Sequence, residues 1–144
     1  MSHVRQQLRE QVAAALAGLS LTGARVFQSR FYPLERTDLP GILVFVDDES
    51  IDYMSISSNA HLKRDVLVRI QAVAKANSDL DDTLDTISAN IETAIHGASL
   101  IIKAKGFVGT QIDIDSSGEQ PVGKATLTYR MQMITTSADP QTAL

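Results

Sequence analysis

The sequence predicts an α+β domain, with two main helices packed on one face of a mostly antiparallel sheet of about four to five strands. Three observations predict it. Two stretches repeat apolar residues at spacings of three and four, several others alternate apolar with polar, and Gly, Pro and Ser punctuate the boundaries.

The first helical stretch carries Val4, Leu8, Val12, Ala15, Leu16 and Leu19, an amphipathic pattern over about residues 3 to 18. Gly18 and Gly23 bracket its exit. Strands over about 24 to 28 and 41 to 47 follow, separated by a loop bearing Pro33 and Pro40. Leu39-Pro40 breaks the chain just before the buried-strand run 42 to 46, which reads as ending on an acidic stop, Asp47-Asp48-Glu49. Residues 51 to 57 alternate and predict a third strand. The stretch 65 to 74 predicts a long one, with Val66, Val68, Ile70 and Ala72 on one face and Asp65, Leu67, Arg69 and Gln71 on the other.

The second helix has the strongest pattern. Ser78 is placed to cap it, with Asp81 completing a capping-box-like pair, and Asp79, Asp81 and Asp82 put negative charge at the positive end of the helix dipole. Leu80, Leu84, Ile87, Ile91 and Ile95 form one stripe, and His96-Gly97 marks the end. The runs 107 to 115 and 124 to 134 alternate, and with turn chemistry at Ser116-Ser117-Gly118 they predict a hairpin. Residues 1–135 then make a single domain, and the unpatterned 136–144 a flexible C-terminal tail.

At 144 residues the chain is long enough to bury a core without staples. A formal charge of -4 argues against a partner bound by neutralising phosphates, so no direct nucleic-acid recognition is expected. The absence of cysteine removes disulfides, thiolate metal sites and cysteine nucleophiles together. Polar residues from Arg5 to Gln11 interrupt the N-terminal stretch, which therefore does not read as a signal peptide. No apolar run reaches the ~20 residues a membrane helix needs, so no membrane partner is expected.

Candidate chemistry is sparse. Asp113, Asp115, Ser117 and Gly118 resemble the opening of a calcium loop, but the twelfth position is Lys124 instead of a bidentate Glu. Asp47, Asp48 and Glu49 are adjacent on a strand, so they point to opposite faces unless a bulge intervenes. His3, His61 and His96 are too scattered to suggest zinc. There is no G-x-S-x-G elbow and no Gly-rich phosphate loop. The expectation is a non-enzyme with no catalytic residue, no metal and no cofactor. Arg25, Arg30 and Arg36, with Glu35 and Asp38 between them, make the loop around Pro33 either a mixed-charge exposed segment or a contact surface.

The opening helix over about 3 to 19, Arg25-Val26-Phe27, Leu39-Pro40-Gly41-Ile42 and the closing strand 125 to 133 together resemble the tail terminator proteins of long-tailed phages, the lambda minor tail protein U family. The resemblance runs from about residue 3 to 135. It implies a virion structural protein, assembled in the bacterial cytoplasm and located in the tail. Its homo-hexameric ring would cap the tail tube, end tube polymerisation and offer a joining surface to head or neck connector proteins. Partners would be further copies of itself, the tube protein and the connectors. The opposite signs of neighbouring segments suggest a contact in which Arg30 and Arg36 of one copy meet Asp47, Asp48 or Glu49 of the next. Two alternatives stand beside this reading: another ring of the neck or tail-completion machinery, or a small dimeric α+β enzyme or ligand-binding protein with a cleft between helices and sheet.

Overall fold

A computed structural model describes residues 1–29, 31, 36–116 and 121–144, with Arg36 described by its backbone alone. In chain order the elements are α1 (Val4–Leu16), β1 (Val26–Phe27), a single 3₁₀ turn (Arg36–Asp38), β2 (Gly41–Tyr53), β3 (His61–Lys75), α2 (Leu80–Gly97), β4 (Ala104–Asp115) and β5 (Val122–Thr136). The sheet runs β1-β2-β3-β5-β4, with β1 parallel to β2 and the other neighbours antiparallel.

This corrects the expected architecture. The molecule is dominated by a five-stranded mixed sheet and is not defined by two helices laid on a mostly antiparallel one. Strands of 15 residues span about 50 Å. Helices of 13 and 18 residues span about 20 and 27 Å. The sheet therefore outreaches its helical cover.

Strand length is what the sequence pattern underestimated. The acidic triplet does not stop β2: the register shifts between Val46 and Asp48, leaving Asp47 as the extra residue of a bulge, and the strand continues to Tyr53. It thereby absorbs the start of the segment read as a separate strand. β3 begins at His61 and β4 at Ala104, both earlier than the alternation indicates.

The core follows the predicted stripes. Val4, Leu8, Val12 and Leu16 of α1 and Leu80, Leu84, Ile87, Ile91 and Ile95 of α2 form one cluster with the sheet. The sheet contributes Ile42 and Val44, then Val66, Val68, Ile70 and Ala72, then Ala125, Leu127, Tyr129, Met131 and Met133. Each fully buried aliphatic side chain contributes roughly 1.5–3 kcal/mol. Cross-strand register puts Val68 opposite Tyr129 and Ile70 opposite Leu127, so both strands show one apolar face to the helices.

Local rules explain the helix ends and two close approaches. His3, not an acid or hydroxyl, caps α1: its Nδ1 accepts from the Arg5 N–H at 3.1 Å. The cap residue of α2 is Asp79 rather than Ser78, and it makes no side-chain cap bond; Asn77 Oδ1 accepts the Asp79 N–H at 2.9 Å. At the other end, Lys105 Nζ donates to the carbonyls of Ile95 (2.6 Å) and His96 (2.9 Å), satisfying acceptors the helix leaves open. Gly123 lets α2 start close to β5, since a Cβ there would fall 2.6 Å from both Leu80 Cδ atoms. Gly41 is equally constrained, because its Cβ would collide with the Asp38 carbonyl oxygen.

The segment expected as a flexible tail is hydrogen-bonded to the domain. Val4 N–H donates to Pro140 O (2.9 Å), Ser137 N–H to Ala60 O (2.7 Å) and Leu144 N–H to Ile134 O (2.7 Å).

Candidate interaction surfaces

The β2 bulge sorts the three acids. Before it, Ile42, Val44 and Val46 face the helices; after it, Glu49, Ile51 and Tyr53 do, opposite Val66, Arg64 and Leu62. Glu49 is thus brought to the helix side, where its Oε1 accepts from Arg5 (2.7 Å) and Arg64 (3.1 Å). Arg64 also donates through Nε to Thr135 Oγ1 at 3.0 Å. With Arg64 and Glu49 side chains only 8% and 11% exposed, this is an internal network that ties α1 to the far half of the sheet. His3 lies beside it. Burial and the charges of Arg5 and Arg64 lower its pKa below the usual histidine value, against a smaller opposing pull from Glu49.

Asp47 takes the other face, pairing with Arg69 Nε at 2.7 Å, and Arg69 reaches on to Thr128 Oγ1 at 3.0 Å. Asp48 shares that helix-free face and accepts the Glu49 N–H at 2.8 Å. Of the five residues expected at a subunit contact, Asp47, Asp48 and Glu49 are therefore sorted to two faces. Arg30 and the Arg36 side chain lie outside the described residues. A groove of about 650 Å³ runs beside this region, lined by Arg5, Arg9, Gln28, Phe31, Asp47 and Glu49 among others.

Asp113 and Asp115 sit on β4 in register with Lys124 and Val122, and Asp115 lies 3.7 Å from Lys124 Nζ. The other two residues of the calcium-like run, Ser117 and Gly118, lie outside the described residues. Among the described residues, no three His, Cys, Asp or Glu side chains converge as a metal set.

Sequence reasoning missed two apolar surfaces. The first is the β2–β3 hairpin end, where Tyr53, Met54 and Ile56 are exposed. The second is β4. Its register shifts between Phe107 and Gly109, so Phe107, Ile112 and Ile114 all point to the helix side, opposite Tyr129, Ala125 and Gly123. All three nonetheless remain exposed, as does Val108 at the bulge. On the opposite face β4 offers only small residues at this end, Ala104 and Gly106, and the side chains of Arg130 and Gln132 border a depression of about 210 Å³ there. The signal available in sequence was the mismatch of phase between Phe107 and the Ile112/Ile114 pair, which a bulge reconciles.

No family model matches this chain, and no curated protein does. Among solved structures, a chain from the virion of a native gene transfer agent particle is similar to it, at 22% identity and a TM-score of 0.44, over 92% of each chain. A likeness at that level carries no functional weight.

Proposed function

We propose that this chain is a ring-forming structural protein of a virion tail, in which a hexamer caps the tail tube and presents a joining surface to the head or neck. The observation that carries the reading is the pair of unlike apolar surfaces on opposite sides of the sheet. Tyr53, Met54 and Ile56 lie at the end of β2, and Phe107, Val108, Ile112 and Ile114 lie on β4. A single patch that matches itself closes a two-fold dimer. Two different patches on opposite sides associate head to tail, and a closed rotation of that contact gives a ring. Such exposed apolar groups on an otherwise well-packed domain mark contact surfaces. The resemblance to tail terminators adds the tube as the object that the ring meets.

A second reading, a small dimeric ligand-binding protein or enzyme, has one observation in its favour, the groove beside β2. Light scattering on a sizing column, over a range of protein and salt concentrations, separates the two. A hexamer, or a monomer that climbs to one, supports the ring, and pull-down of tail tubes then tests the capping step. A dimer that ignores concentration and salt overturns the ring and turns attention to the groove.

A further inference from the structure

Beyond the bulge, Asp48 and Asp52 share the helix-free face of β2, paired across to Leu67 and Lys63, and both are exposed. At the opposite side of the same sheet, and on the same face, Arg130 is exposed above Gly106, and Gln132 lies above Ala104. Lys103 immediately precedes this end of β4, whereas Lys105, within the strand, turns to the helix side and is held by the α2 carbonyls. None of the ion pairs among the described residues uses Arg130, Lys103, Asp48 or Asp52. One side of the sheet thus shows acids next to the apolar Tyr53 and Met54, and the other shows bases next to the apolar Phe107 and Val108.

We infer that the depression over Ala104 and Gly106, flanked by Arg130, receives the Asp48–Asp52 side of β2 from a second copy of this chain. The inference rests on the ring reading and supplies its contact. Both halves project from the same face of the sheet, so a rotation carries one to the other without inverting the sheet, as a ring requires. The small residues at 104 and 106 leave room for a carboxylate to reach the Arg130 fork, a geometry guanidinium favours.

Two measurements on the full chain test it. In sedimentation velocity, Arg130→Glu and Asp52→Arg alone each raise the concentration needed for half-assembly at least tenfold, and the two together restore assembly toward wild type. The chain has no cysteine, so an Asp52→Cys, Ala104→Cys double variant gives a clean cross-link. Under oxidation it forms a ladder of covalent multimers, whereas each single variant gives no species larger than a dimer. If wild type assembles but neither charge reversal weakens it, or the double cysteine variant forms no ladder, the contact is wrong and the ring reading survives. If wild type stays monomeric at every concentration and the double cysteine variant forms no ladder, both fall.

Discussion

Phe107 and Tyr129 are register partners on adjacent strands, with rings stacked at a 4.9 Å centroid distance and pointing to the same face. Tyr129 is 5% exposed and Phe107 is 45% exposed. One strand spacing separates a core residue from a surface one. The difference is cover: the stripe of α2 joins β3 and β5 in the core cluster, whereas no residue of β4 belongs to it. Alternation in a strand tells which way a side chain points. It does not tell whether anything lies above it.

Substitutions can break that comparison, starting with the covered side. Ile91→Ala, in the middle of the α2 stripe and wholly buried, should cost about 3–4 kcal/mol in urea unfolding. Ile112→Ala, at the same kind of apolar position but on β4 and 55% exposed, should change monomer stability by less than about 0.5 kcal/mol while weakening self-association. Equal losses at the two sites would erase the distinction. Next comes the network at the edge of the cover. Glu49→Ala leaves the Arg64 guanidinium buried without its counter-charge and should cost about 3 kcal/mol. Its neighbour Asp48→Ala should be nearly silent for folding, within about 0.5 kcal/mol. Gly123→Ala forces Leu80 away from β5 and should cost about 1–2 kcal/mol, read as a lower thermal midpoint.

The smallest effect is one of pH. Burial, helped by the charge of Glu92, raises the Tyr129 phenol from an ordinary value of 10.0 to about 12. The folded state therefore holds this proton more tightly than the unfolded chain. The resulting stabilisation is fully present below the unfolded value of about 10 and is lost as pH rises toward about 12. Tyr129→Phe should flatten the stability profile across that window, and ultraviolet titration of wild type should show one tyrosine ionising late. Phe107→Tyr places a phenol on the exposed neighbour and should add one that ionises early.

The covered half of the molecule was legible in sequence. The stripes of α1 and α2 are continuous in the chain, and every member of Leu80, Leu84, Ile87, Ile91 and Ile95 is buried. The final hairpin was legible too, because its strands are neighbours in sequence. The two bulges were not. Whether Asp47 ends a strand or is looped out of it is decided by β3, which must find continuous pairing partners, and not by the acids themselves. The parallel pairing of β1 with β2 escaped for a similar reason, since Val26 and Phe27 contribute only two residues to the sheet. At the candidate surfaces the acidic segment was identified, but its sorting to two faces depends on the bulge. The β4 surface was missed because exposure depends on where a helix from elsewhere in the chain comes to rest.

Strand order has a kinetic signature. β3 is paired to β5 along its whole length and to β2 from Leu62 to Val73, so over that stretch it has a bonded strand on both sides. In heavy water its amide protons there should be among the last to be replaced, released only when the whole domain opens. β4 is bonded on one side, and alternate amides facing away from β5 should be replaced early in a free subunit. Closing a ring over that edge would slow them, so deuterium uptake along β4 would time assembly residue by residue.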